Sequence, residues 1–203
     1  MPTIRRYRPT DRAAVAEICI RTGDAGGDAS AKYRDPGLLP TIYALPYVEH
    51  EPELAFVLDD DGMAVGYVLG TADTSAFVSW FRRVWLPTVE VRYPPPPSSA
   101  RTPDDELSAA LHRPERMLVA QVADHPAHLH IDLLPGYQGA GHGRALVGEF
   151  LGALRGAGVA QMHLSMSRRN TGARAFYDRL GFREVAAPDV PGAAFLVRDT
   201  LAP

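Results

Sequence analysis

The sequence contains little cysteine, no long hydrophobic run and no excess of positive charge. Cys19 is the only cysteine, which excludes an internal disulfide and the Cys pairs of common structural zinc sites and favours a reducing, cytoplasmic location. No run approaches the roughly 18 apolar residues of a membrane span, and no signal-peptide pattern follows Met1. The 21 basic and 24 acidic residues are dispersed, with a net charge of -3. We therefore expect neither a membrane nor a nucleic-acid partner.

Length and hydrophobic content indicate one domain. The 203 residues, 46% of them hydrophobic, are enough to bury one sizeable core. Pro94 to Pro97 interrupt regular structure, but the stretch 102–122 that follows is too short for a separate core. We interpret 1–203 as a single domain with a Pro-rich insertion at about 92–122. The insertion is either a solvated loop with a short helix started by Thr102-Pro103 or a substrate-facing flap.

Hydrophobic periodicity predicts a mixture of strands and helices. A strand over Thr3 to Tyr7 precedes a helix capped by Thr10, and the run Asp59 to Gly62 is typical of a tight hairpin turn. The remaining predictions are a loop over 22–30, a broken helix over 38–48, an amphipathic helix from 73 up to Pro87, strands over 128–134 and 161–166, helices over 141–154 and 170–180, and a closing hairpin of 182–185 with 194–197. This order indicates a mixed α/β (α+β) fold.

Three glycines lie at alternating positions where the strand over 128–134 leads into the next helix. Gly139, Gly141 and Gly143 lack a Cβ, so an anion can approach their backbone, and the helix dipole adds positive potential there. The pattern indicates a diphosphate held by main-chain amides, although glycine also serves simply to close tight turns. Arg144 excludes both a Walker loop, which needs Lys after its last glycine, and the dinucleotide fingerprint, which needs glycine at that position.

Two motifs in this region resemble those of the GNAT acetyltransferases. Gln138-x-x-Gly141-x-Gly143, preceded by Leu133-Leu134-Pro135, resembles motif A. Further along, Asn170-x-x-Ala173-x-x-Phe176-Tyr177-x-x-Leu180-Gly181-Phe182 resembles the second GNAT motif, at about the separation that the family shows.

Most of the chain also resembles the C-terminal acetyltransferase-like domain of O-GlcNAcases. The matching runs are Tyr33-Arg34-Asp35, Gly66 to Asp73, Trp85-Leu86-Pro87 and Ile131-Asp132. Members attached to the animal glycosidase can have a degraded cofactor loop, whereas Gln138 to Arg144 keeps the active pattern. The sequence contains no glycoside hydrolase portion.

The resemblance implies a GNAT fold with acetyl-CoA as cosubstrate and no metal. In that fold a central mixed, largely antiparallel sheet is splayed at the strands flanking the acetyl-CoA site, with helices on both faces. The backbone near Leu133 and Leu134 would pair with the pantetheine arm, although these side chains could simply belong to the core. The residues implied to bind acetyl-CoA are Leu133, Leu134, Gln138, Gly139, Ala140, Gly141, His142, Gly143, Arg144, Asn170 and Phe176.

Tyr177 and Asp132 are the candidates for the chemistry. Tyr177 aligns with the tyrosine that many GNAT enzymes use to protonate the leaving CoA thiolate, and the alternative is a tyrosine packed beside Phe176. Asp132 is the candidate base for the acceptor amine, because Asp is depleted in strands and burial would raise its pKa. His128 and His130 share its strand face, so His130 or a water chain is an alternative base, and the row only weakly resembles half a metal site.

The predicted function is an acetyl-CoA-dependent N-acetyltransferase in which a primary amine attacks the thioester directly. The acceptor is a small molecule, a peptide or a protein lysine, because GNAT acceptor sites are built from variable loops, here 22–48 and the insertion. One alternative is a non-catalytic module that holds acetyl-CoA or a protein tail. Another is an interaction domain using the aromatic segment Trp80 to Trp85. Monomer and homodimer both remain open.

Overall fold

A computed structural model describes residues 1–97, 99, 102–187, 189–190 and 192–201. Seven strands in these residues form one sheet: β1 (Thr3–Arg6), β2 (Phe56–Asp60), β3 (Met63–Thr71), β4 (Ala127–Leu133), β5 (Gln161–Ser167), β6 (Arg183–Val185) and β7 (Ala193–Asp199). Their order is β1-β2-β3-β4-β5-β7-β6, and every neighbouring pair is antiparallel except β4 and β5. The α-helices are α1 (Arg12–Thr22), α2 (Leu38–Tyr43), α3 (Leu45–His50), α4 (Thr74–Trp80), α5 (Leu86–Val89), α6 (Pro103–Leu111), α7 (His142–Gly156) and α8 (Thr171–Arg179).

The predicted hairpin between β2 and β3 is confirmed. Asp61 and Gly62 both have positive φ, at 50° and 88°, as a two-residue turn with the right-handed twist of a hairpin requires. The Asp59 carboxylate accepts the Gly62 N–H at 2.7 Å and so closes the turn. The mixed, largely antiparallel architecture expected from the sequence is therefore present.

Two helix boundaries differ from the sequence prediction. Thr10 does not cap α1, because Pro9–Asp11 form a 3₁₀ turn and Asp11 occupies the N-cap position. The helix beginning at Thr74 also does not end before Pro87. It passes through a π-helical turn, Phe81–Trp85, and continues to Val89, with Pro87 as the second residue of α5, where a missing N–H is tolerated.

Helices cover both faces of the sheet, as predicted. On one face, α1 and α3 contribute Ile18 and Tyr47 to a core that also contains Tyr67 of β3. On the other face, α7 contributes Phe150, whose ring lies 2.5 Å from the point that a Cβ on Gly70 would occupy. A side chain on Gly70 would therefore push α7 away from β3.

The sheet is splayed between β4 and β5. The two strands pair only at Ala127 with Met162 and at His128 with His163. Beyond these pairs β4 continues to Leu133 beside β3, while β5 follows β7. The strands therefore diverge towards their C-terminal ends, which confirms the expected opening.

The Pro-rich insertion contains the predicted short helix, α6. Thr102 accepts the Asp105 N–H at 3.3 Å, and the Asp105 carboxylate accepts the Thr102 N–H at 3.0 Å, which is a capping box. Leu107 and Leu111 of α6 are buried in the same core as α1 to α3. No helix in the described part of the chain is long and apolar enough to span a bilayer.

Candidate active site

A cavity of about 530 Å³ lies where β4 and β5 diverge. Its walls come from the end of α1, from β4, from the start of α7 and from one side of α8. Both predicted catalytic residues, Asp132 and Tyr177, line it. So do most of the residues predicted to bind acetyl-CoA: Leu133, Gln138, Gly139, Gly141, Gly143, Arg144, Asn170 and Phe176. Three others, Leu134, Ala140 and His142, are not among its lining residues.

The loop between β4 and α7 presents a run of unpaired backbone amides. The N–H groups of residues 139–144 donate no hydrogen bond to any acceptor in the described part of the chain, and Ala145 is the next donor, to the Gly141 carbonyl at 3.2 Å. Gly139 and Gly141 have positive φ, at 77° and 88°, which only glycine adopts without strain. Six free donors together with the positive end of the α7 dipole create an electrostatic environment that favours an anion.

Gln138 ties this loop to the end of β4. Its side-chain amide donates to the Leu133 carbonyl at 2.8 Å. The Leu134 N–H donates to the Val65 carbonyl at 3.0 Å. Both main-chain groups already have protein partners, so a pantetheine arm beside β4 would have to use other groups of the strand.

The Asp132 carboxyl is half-buried and borders the cavity. The Tyr67 hydroxyl donates to its Oδ2 atom at 2.6 Å, and the two residues are direct partners in the β3–β4 register. Burial raises the pKa of Asp132 to about 6, and the hydrogen bond from Tyr67 opposes that rise. Asp132 therefore changes protonation state close to neutral pH.

Tyr177 combines a packed ring with an open hydroxyl. Its side chain is 8% exposed and makes edge contacts with the rings of Phe176 and Phe182, at centroid distances of 5.1 and 5.4 Å. In the described residues no hydrogen-bonding partner meets its hydroxyl. Burial and the nearby Asp132 raise the Tyr177 pKa above its ordinary value of 10, so the phenol keeps its proton at neutral pH.

His128 and His130 lie on the face of β4 that Asp132 shares, but both rings are engaged elsewhere. His128 Nε2 is 2.8 Å and His130 Nε2 is 3.1 Å from the Tyr47 hydroxyl, and His128 Nδ1 is 2.7 Å from Thr74 Oγ1. Burial lowers the pKa of His130 to about 4 and that of His128 well below 6.5. Neither ring lines the cavity, and the described residues contain no cluster suited to a metal ion.

Sequence reasoning missed several residues that border or support the cavity. Tyr67 was noticed only as part of a resembling run, because its contact with Asp132 depends on strand register. Arg179, which lines the cavity from α8, was not predicted either. Ala25 and Gly26 also line the cavity, and they belong to the stretch 22–48 in which the acceptor site was expected. None of the described residues of 92–122 is among those that line the cavity, and the role of the insertion stays a prediction.

The chain is similar to several known proteins. A family model described as Acetyltransferase (GNAT) domain matches residues 113–184. The crystal structure of SsHAT is 59% identical and superposes with a TM-score of 0.96, covering 99% of each chain. The Rattus norvegicus protein O-GlcNAcase is 24% identical over 186 residues, which are 91% of this chain and 20% of that protein. The [ribosomal protein bS18]-alanine N-acetyltransferase of Haemophilus influenzae is 38% identical over 64 residues, 32% of this chain and 43% of that one.

The chain belongs to the GNAT acetyltransferase family. This confirms the resemblance drawn from the two motifs, and it makes the protein an acyltransferase. The chain spans about a fifth of the length of the curated O-GlcNAcases that it matches.

Proposed function

We propose that the protein is an acetyl-CoA-dependent N-acetyltransferase that acts on a primary amine. The observation that carries this proposal is the run of six unpaired amides at 139–144, in a loop that borders the same cavity as Asp132 and Tyr177 through Gly139, Gly141, Gly143 and Arg144. An anion site and a pair of proton-transfer groups are thereby combined in one space. The acceptor amine belongs to a small molecule, a peptide or a protein lysine.

The chemistry of the cavity supports acetyl-CoA as its ligand. The amides of 139–144 would hold the diphosphate, and the exposed Arg144 adds a positive charge beside them. Leu133 and Phe176 provide apolar walls, and about 530 Å³ lies within the range of small-molecule pockets. Acetyl-CoA supplies a thioester whose carbonyl carbon accepts the amine nitrogen.

Asp132 is suited to accept the proton that the amine loses. With a pKa of about 6 its carboxyl is largely ionised at pH 7, yet basic enough to take up a proton. The bond between nitrogen and the carbonyl carbon forms, and the bond between that carbon and sulfur breaks. The Tyr177 hydroxyl donates a proton to the departing sulfur, and solvent then restores both side chains.

The loop after α1 is the part of the cavity wall best placed to contact the acceptor. Ala25 and Gly26 line the cavity beside Asp132, and both have positive φ, at 54° and 94°.

Cys19 is buried and forms no disulfide, which fits the reducing cytoplasm proposed as the location. Either a monomer or a homodimer would leave this mechanism unchanged.

A screen of amine acceptors with thiol release as the readout tests the proposal. Asp132→Asn should lose turnover while keeping its affinity for acetyl-CoA, measured by calorimetry. Gly141→Trp should lose both, because the indole would fill the amide loop. Equal thiol release by the wild type and both variants would reject the site. Tight acetyl-CoA binding without release for any amine would favour a non-catalytic module.

A further inference from the structure

Tyr67 of β3 lies beside Asp132 of β4 as its direct cross-strand partner. Its side chain is 0% exposed, and its hydroxyl donates to Asp132 Oδ2 at 2.6 Å. We propose that Tyr67 is a positioning residue whose buried hydroxyl aims the Asp132 carboxyl at the cavity and stabilises its ionised form. This inference rests on the proposed role of Asp132 as the base.

The groups that face Asp132 carry no positive charge at neutral pH. They are Cys19 and Thr22 of α1, Tyr67 of β3, Tyr177 of α8 and, along its own strand, His130. The His130 ring is neutral and is engaged by Tyr47. Among the described residues no Lys or Arg pairs with Asp132. Hydrogen bonding, above all from Tyr67, must therefore stabilise the carboxylate in place of an ion pair.

Cys19 of α1 is a second polar neighbour of Tyr67 in this core, and burial raises the pKa of its thiol to about 12. The pKa of Tyr67 also lies well above its ordinary value, so thiol and phenol both keep their protons over the working pH range. The Tyr67 hydroxyl therefore has a proton to donate, and Asp132 accepts it at 2.6 Å.

Removing this hydroxyl should affect the base and leave the cofactor loop intact. Tyr67→Phe keeps the ring in the core but deprives the carboxylate of its 2.6 Å donor. A larger share of Asp132 would then be protonated at pH 7. We expect kcat to fall with little change in the KM for acetyl-CoA, because residues 139–144 lie beyond the end of β4 and do not contact Tyr67. The acidic limb of the kcat/KM profile should move to higher pH.

Tyr47→Phe is the matched control. Tyr47 is also a buried tyrosine of this core, 1% exposed, but its hydroxyl contacts His128 and His130 rather than Asp132. It should lose stability as Tyr67→Phe does, without moving the pH profile. A merely structural role for Tyr67 predicts the same behaviour for both variants.

The decisive measurement titrates the Asp132 carboxyl directly, by difference infrared spectroscopy with isotope-labelled aspartate and Asp132→Asn for assignment. We expect Tyr67→Phe to raise the midpoint by about one pH unit. If this variant does not fold, fluorotyrosine at position 67, a stronger donor, should lower the midpoint. An unchanged midpoint overturns the proposal whatever the activity shows. If the midpoint shifts but the pH–rate profile does not, the proposal is also overturned. That result would show that Tyr67 does act on Asp132 but that Asp132 is not the base.

Discussion

The ring of Phe176 lies 3.2 Å from the point that a Cβ on Gly143 would occupy, and the Leu133 side chain lies 3.4 Å from it. Gly143 was predicted to bind the cofactor because its backbone can approach an anion. The structure adds a second reason for glycine at this position. The absent side chain lets the first turn of α7 pack directly against α8 beside the cavity.

Gly143→Val should therefore disturb packing and binding together. The valine would force the Phe176 ring and the start of α7 apart, with an expected loss of about 1–3 kcal/mol in the free energy of unfolding. The displaced ring and amides should also weaken acetyl-CoA binding. Urea denaturation and calorimetry measure the two effects separately.

Gly148→Ala is the control within the same helix. No atom lies within 4 Å of the position of its added Cβ, so it should stabilise α7 by about 0.5–1 kcal/mol and leave affinity unchanged. Wild-type stability and affinity in Gly143→Val would show that the contact with Phe176 does not set the geometry of the site.

Gly141→Ala tests the amide loop by a smaller change. Gly141 is the N-cap of α7 with φ at 88°, and alanine there costs about 1–2 kcal/mol or forces the backbone to rotate. Rotation would turn some of the amides of 139–144 away from the cavity. We expect at least a tenfold loss of acetyl-CoA affinity, equivalent to about 1.4 kcal/mol.

Gly158→Ala is the control for backbone strain, because it introduces the same strain at a glycine away from the amide loop. Gly158 follows the other end of α7, has φ at 75° and has no atom within 4 Å of an added Cβ. It should lose a similar amount of stability and keep full affinity. Equal loss of affinity in both variants would mean that general destabilisation, rather than the loop, weakens binding.

Periodicity predicted most of the fold because the elements have strong local signals. Apolar residues recur at helical spacing along α7, and all four of them are buried: Val147, Phe150, Leu151 and Leu154. The start of α1 was mispredicted for a local reason. Thr10 is a good capping residue in isolation, but Asp11 folds back to accept the Arg8 N–H at 2.8 Å and the Arg5 guanidinium at 2.7 Å. These contacts with Arg8 and with Arg5 of β1 select a different helix start.

Asp132 could be identified from the sequence because a carboxylate is unusual in a strand. Its hydrogen-bond partner, Tyr67, could not be identified in this way. Tyr67 and Asp132 are 65 residues apart and meet only because β3 and β4 pair across the insertion. Strand alternation also correctly grouped His130 with Asp132.

Asp132→Asn should increase stability at neutral pH while abolishing turnover. The pKa of Asp132 is raised from 3.8 to about 6 in the folded chain, so the folded state favours the protonated carboxyl. Its contribution to stability is present below pH 4 and is lost as pH rises through 6. Asparagine cannot ionise, yet its amide oxygen can still accept from Tyr67. At pH 8 we expect the variant to be more stable by about 1–3 kcal/mol, and at pH 4 by much less.

Asp11→Asn is the control, because the opposite change in stability at pH 8 is expected. Its carboxylate pairs with Arg5 at 2.7 Å, and this pairing lowers the pKa of Asp11 below 3.8. Its stabilising contribution is present above that ordinary value and is lost as pH falls, so Asp11→Asn should be less stable at pH 8. Urea denaturation at both pH values compares the variants. A destabilised Asp132→Asn at pH 8 would contradict the raised pKa.

Tyr177→Phe tests the proposed proton donor to sulfur. The Tyr177 hydroxyl meets no partner in the described part of the chain, so its removal should scarcely change stability or acetyl-CoA affinity. If it protonates the leaving thiolate, kcat should fall by about 10²-fold. Tyr137→Phe is the control, because its hydroxyl donates to Asp60 at 2.7 Å and its side chain does not line the cavity. Unchanged thiol release by Tyr177→Phe would mean that water protonates the thiolate and that Tyr177 serves only to pack against Phe176 and Phe182.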